Sequence, residues 1–281
     1  MFKKITLCFL CLFVLNACSA KLAYNFLGFV INWQIGKYVS LNKEQQAFAD
    51  ERIEAFHDWH RETQLPVYAD YIDGLLLRMS KDEITGEWVH NETDIIQDLL
   101  DISVQQLKPD IVSLISSFDE EQVNEVIERF EKEREKYKKK HIDISQKKLI
   151  KRRKSELTDR LGPFFGRFTD EQKVWIEEWA HALEPYEALT LNQQKLWEKE
   201  LKAALDVREN KKELGKRLDG IMLYRTDDWD PELEKILDKN QALTYTLIAK
   251  LLNNRIEKQT ERFVRKLSAY RDDLKELSKN D

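Results

Sequence analysis

Four times along the chain an apolar residue is followed by Asn, Asp or Thr and then, three positions on, by Gln. The sites are Leu41-Asn42 with Gln45, Phe118-Asp119 with Gln122, Phe168-Thr169 with Gln172, and Leu189-Thr190 with Gln193. Each reads as a capping box, in which the short side chain accepts from the N3 amide and Gln reaches back to the N-cap amide. A chain punctuated in this way is committed to helices. The boxes are separated by 77, 50 and 21 residues, too irregular for a solenoid of equal repeats.

Composition supports the same class. Only 8 Gly and 5 Pro occur in 281 residues, well under the roughly 7% and 5% of average chains. Seven Trp, 13 Phe and 9 Tyr exclude disorder. A mean hydropathy of -0.59 leaves no room for repeated apolar spans of a polytopic membrane protein. The expectation is an all-α protein, a multi-helix bundle or curved helical array with no sheet. Helices are predicted near 22–38, 43–63, 67–79, 92–116, 119–141, 144–161, 170–184, 191–214, 231–239 and 241–277. Pro66, Pro109, Pro163, Pro185 and Pro231 fall where apolar periodicity breaks, and Asp230-Pro231 reads as N-cap and N1.

The N-terminus carries an address. Lys3 and Lys4 precede an apolar run from Ile5 to Leu15, closed by Asn16-Ala17-Cys18. Eleven residues rise only about 16 Å as a helix, short of the roughly 30 Å hydrocarbon core, so the run reads as a secretory signal and not a span. Ala17-Cys18 resembles the bacterial lipoprotein signal, which implies cleavage after residue 17 and acyl chains on Cys18; an ordinary signal cut after Ala17 or Ala20 is the alternative. Because Cys8, Cys11 and Cys18 are the three cysteines, the mature chain keeps no pair for a disulfide. Ser19, standing where Asp would direct inner-membrane retention, implies by the same resemblance an outer-membrane anchor facing the periplasm. The remainder, 18–281, is expected to be one helical domain with a possible sub-division near 155–165.

Within residues 21–39 the polar or small positions Lys21, Asn25, Gly28, Asn32 and Gly36 form one stripe at helical spacing. Apart from Gln34 and Lys37 the rest is apolar or small, so this segment is expected to be a helix buried on most sides by the protein, or else lying in a bilayer interface with Trp33 and Tyr38 as anchors.

Charge is segregated. From Cys18 to Glu128 there are 8 basic and 21 acidic residues; from Arg129 to Lys154, 13 and 4; from Ser155 onward, 23 and 26. One helix pair is thus a basic element in an acidic protein, with Lys138, Lys139, Lys140, Lys147, Lys148, Lys151, Arg152, Arg153 and Lys154 as its candidate binding residues. These cations either offset the acidic N-terminal helices or meet an anionic envelope component, such as lipid headgroups, lipopolysaccharide phosphates or an acidic protein. Nucleic acid is not expected, since no recognition fold accompanies the charge.

Chemistry-bearing motifs are few. His57 and His60 are the one histidine cluster and only a weak metal candidate: their spacing is not the i, i+4 of a zincin and Phe56 and Trp59 beside them read as core. There is no phosphate loop, no G-x-S-x-G elbow and no cofactor motif. Trp175 and Trp179, with Trp197 on the following helix, are expected to form an aromatic stripe packed in the core.

The run Leu15-Asn16-Ala17-Cys18-Ser19-Ala20-Lys21-Leu22-Ala23-Tyr24-Asn25, then Leu41-Asn42 with Gln45, and Trp59-His60-Arg61 through Pro66, resembles an uncharacterised family of bacterial lipoproteins, a domain of unknown function. The stretch around Arg152-Arg153 and Gly166-Arg167-Phe168-Thr169-Asp170-Glu171-Gln172 is similar too. The resemblance implies a helical envelope lipoprotein and supplies no catalytic residues. Leu189-Thr190-Leu191-Asn192-Gln193 is similar to the repeated motif of Spy-like periplasmic chaperones. The expected function is therefore a non-enzymatic binding or structural role in envelope maintenance, held to the bilayer through Cys18. A chaperone-like holdase and a cell-wall or lipid-acting enzyme are the alternatives.

Overall fold

The structure, a computed structural model, describes residues 21, 24–222 and 229–279. The segment read as a signal, 1–17, and Cys18, the expected acylation position, lie outside the described residues. Helices are α1 (Leu27–Ile35), α2 (Lys43–Trp59), α3 (Leu65–Lys81), α4 (Gly86–Ile115), α5 (Glu120–His141), α6 (Gln146–Phe165), α7 (Asp170–Ala182), α8 (Glu187–Asp206), α9 (Lys211–Met222), α10 (Pro231–Asn253) and α11 (Glu257–Leu277). The chain is all-α, with no strand among the described residues.

Three of the four capping boxes start helices as read. Asn42, Asp119 and Thr169 each accept from the N3 amide while Gln45, Gln122 and Gln172 reach back. The fourth does not. α8 begins at Glu187, so Thr190 is already inside it, its own amide bonded to the Tyr186 carbonyl at 2.9 Å. Gln193 is buried and accepts instead from the Asp230 amide, at 3.4 Å.

Proline positions also differ from expectation. Pro66 does not separate two helices: α2 passes into α3 through a π-helical turn, His60–Gln64. Proline cannot donate to the carbonyl four residues back, and widening the turn to i→i+5 bonding, as in Leu65 N–H to His60 O, absorbs the missing donor. Pro109 and Pro163 lie inside α4 and α6. α6 stops at Gly166, whose φ of 69° suits a residue without Cβ. The expected helix 191–214 is two, divided after Asp206, and the break expected near 240 occurs after Asn253.

The caps are also tertiary contacts. Gln45 and Gln122 exchange amide hydrogen bonds at 3.0 and 2.6 Å, and each also donates to the carbonyl two residues before the other's N-cap, Ser117 and Ser40 respectively. Gln172 and Gln259 repeat the arrangement: two 2.9 Å bonds between them, with Asn254 and Arg167 as the carbonyl acceptors. Gln259 bonds back to the amide of Ile256, a half-box whose apolar N-cap hides it from a search for Asn, Asp or Thr. Helix pairing repeats around these two nodes. α1–α2 matches α6–α7, α2–α4 matches α7–α10, and α3–α11 matches α8–α5. α4 and α10 run antiparallel through the middle, Ile84 meeting Asn253 and His90 stacking on Tyr245.

Three apolar clusters fill the interior. One joins α4, α5, α8 and α9 through Val112, Val123, Leu205 and Leu214; another joins α4, α6, α7 and α10 through Val89, Leu157, Ile176 and Leu251. The third closes α3 on α11 through Leu65, Ala69 and Leu274. Trp175 and Trp179 pack on the second cluster and Trp197 on the first, so the three form no single stripe.

Candidate functional site

The basic element is the hairpin of α5 and α6. Residues 138–141 are the last turn of α5, where cations offset the negative end of the helix macrodipole. The ring of His141 stacks on buried Tyr137, with centroids 4.5 Å apart. α6 opens at Ser145, which accepts from the Lys148 amide at 3.4 Å. Arg152 donates to the Lys140 carbonyl and ties the two helices together.

The nine candidate cations divide into two groups. Arg153 is only 8% exposed and turns inward: it bonds Glu187 at 2.6 and 3.2 Å, donates to the Leu183 carbonyl at 3.1 Å, and lies over the Tyr186 ring. Lys154 pairs with Glu177, and this hydrogen bond holds the Glu177 carboxyl below its usual value. Arg153 is thus an internal fastener of α6 to α8, and Lys154 a half-exposed one to α7. Arg134 on α5 acts likewise through Glu198. Their carboxylate partners come from α7 and α8, not from the acidic N-terminal helices.

Lys138, Lys139, Lys140, Lys147, Lys148, Lys151 and Arg152 remain at the tip, forming no ion pair among the described residues. Five of them, Lys139, Lys140, Lys147, Lys148 and Lys151, are exposed, and half-buried Ile142, Ile144, Leu149 and Ile150 lie among them. Asp143 is the carboxylate of the connecting loop. Lys147 and Lys148 occupy the first turn of α6, which contains no acid. Cations there oppose the macrodipole, so helix stability does not account for them.

His57 and His60 serve another purpose. Tyr24 Oη lies 3.0 Å from His60 Nδ1 and 3.4 Å from the His57 carbonyl, and its ring is 4.6 Å from the His57 ring. Phe56 and Tyr68 enclose His60. Burial, then the neighbouring His57, pushes the His60 imidazole down to about 4; burial, then Arg61, lowers His57. The pair seats Tyr24, and among the described residues no group of three or more His, Cys, Asp or Glu could hold a metal ion. Sequence reasoning missed Tyr24 as their partner, because 33 and 36 residues separate it from them.

On the other side of Trp59 a cleft of about 530 Å³ is lined by Asp98, Asp101, Ile102, Gln105 and Gln106. Burial raises the Asp101 carboxyl. Among the described residues no helix is long and apolar enough to cross a membrane.

The model of a family of unknown function, DUF6279, matches residues 37–234, and the chain belongs to that family. No curated protein matches, and no solved structure matches.

Proposed function

We propose that this member of the DUF6279 family is a lipid-anchored envelope protein, attached through Cys18 to the outer membrane and facing the periplasm. Its role is non-enzymatic, and it binds an anionic envelope component through the α5–α6 tip. The observation that supports binding is the tip itself: seven cations at one hairpin end, two of them set against the helix dipole, in a protein of net charge -5. Phosphate-bearing headgroups fit such a surface because lysine ammoniums act as point charges for phosphate oxygens, and the interleaved Ile142, Ile144, Leu149 and Ile150 suit the apolar part of the same molecules.

The test is flotation with vesicles containing anionic lipid, run at rising salt. Binding should fall as ionic strength rises. Lys147→Glu with Lys148→Glu should weaken it at least tenfold, with the helical circular dichroism and Tm maintained, since both side chains are exposed and acids suit that helix turn. Unchanged binding in that variant would reject the tip as the binding element. Absence of labelled fatty acid on the purified protein, or its retention in Cys18→Ala, would reject the anchor.

A further inference from the structure

α1 docks through only part of its circumference. Ahead of it Lys21 pairs with Asp273 at 3.5 Å and with Glu276, and within it Gly28 lies against Ile53 and Asn32 bonds Asp50 at 2.7 Å and Gln46 at 2.9 Å, while Asn25 and Gly36 of the same stripe are exposed. Leu27 and Ile35 add apolar contact along the same docked side. The aromatic residues point away, with Phe26 60%, Phe29 71% and Trp33 56% exposed. These three are the largest exposed apolar side chains on one segment, spaced i, i+3, i+7 along a single helical face. Lys37 sits over the Trp33 ring at 3.1 Å, a cation at the edge of the aromatic face. No acid occurs between Lys21 and Lys43, although the region around this segment is strongly acidic. Tyr38, in contrast, is half-buried against Phe130 and is not part of the face.

We infer that the Phe26-Phe29-Trp33 face lies in the interfacial layer of the bilayer, so that the domain is fixed in orientation on its membrane and does not swing on a tether. This rests on the reading that Cys18 is acylated. Phe26 is eight positions after Cys18, a reach of at most about 28 Å when fully extended, so the face is held within one helix length of the lipid surface. Aromatic rings rimmed by lysine, on a segment with no carboxylate of its own, match the chemistry of that layer. A helix that leaves three aromatic side chains outward has an exterior that water does not favour and acyl chains do.

The test uses the full acylated protein reconstituted in vesicles of phosphatidylethanolamine and phosphatidylglycerol doped with brominated lipid. Wild-type fluorescence should be quenched, and Trp33→Phe should lose most of that quenching, while Trp88→Phe keeps it. Phe29→Asp with Trp33→Asp should retain its Tm, since both residues are mainly exposed, and should also lose the quenching. Equal quenching in wild type and Trp33→Phe overturns the inference. So does a second copy covering the face, seen as a dimer that the double Asp variant dissociates. Mass measurement of the N-terminal peptide separates this from failure of the anchor. If Cys18 proves unacylated, flotation of the same protein added to preformed vesicles decides: binding lost in the double Asp variant upholds the face, and no binding overturns it.

Discussion

Arg152 and Arg153 are adjacent and identical in type, yet one lies on the exposed tip and the other is sealed in the core. On a helix, consecutive side chains point about 100° apart, so a basic run has to divide between faces. What the sequence could not show is which face finds a carboxylate, because Glu187 is 34 residues from Arg153. His60 presents the same difficulty. Its spacing from His57 was legible, but the closing residue, Tyr24, comes from a different helix-forming segment. His60 also yields a pH prediction. Its native pKa, about 4, is below the ordinary 6.5, so below pH 6.5 the unfolded chain takes up a proton that the native state refuses. Stability contributed by this site is present above 6.5 and is lost as pH falls from 6.5 toward 4. Thermal melts across that range should show a falling Tm, and His60→Phe, which cannot titrate, should flatten the dependence.

At the scale of helices, helix starts were the most legible feature, since an N-cap box is a local arrangement of four residues. Its two errors are instructive. Leu189-Thr190 with Gln193 has the right letters, but α8 had already started three residues earlier, and Gln193 accepts from the Asp230 amide instead. Ile256 with Gln259 has the wrong letter and still opens α11, because the Gln half of the box works without a polar N-cap. Neither error is decided locally. The nodes give a clear energetic signature. Gln172→Ala and Gln259→Ala should each cost about 1–3 kcal/mol, since each leaves buried polar groups without partners. Their double variant should cost less than the sum, because the two share the same bonds. Gln45→Ala with Gln172→Ala, one from each node, should be additive. Urea unfolding of the three single and two double variants checks both statements.

For the molecule as a whole, the fold class followed from caps and composition, but the arrangement did not. Two nodes built alike, with helix pairings that repeat around α4 and α10, describe a chain whose two halves match in part; α9 and its packing on α4 and α8 have no counterpart. The repeat escaped detection because only caps and packing recur, and these tolerate many side chains. The halves are interlocked: α5 of the first packs on α8 of the second, and α11 of the second packs on α3 of the first. Leu274 and Leu277 cover Leu65 and Ala69, while Asp73 is held by Arg271 at 2.9 Å and Lys275 at 2.6 Å. A chain truncated before Glu257 should therefore lose its single sharp unfolding transition and bind a hydrophobic dye at α3.

The clasp of α3 by α11 also has a bearing on how the protein is made. Synthesis delivers α3 nearly two hundred residues ahead of the helix that covers it, so its apolar flank waits uncovered while most of the polypeptide is still emerging. Contacts this distant in sequence slow folding, since loop closure precedes any gain from the contact. The helix that shuts the structure arrives long after the surface it covers, and until then the nascent chain has an open seam for helper proteins or proteases to find.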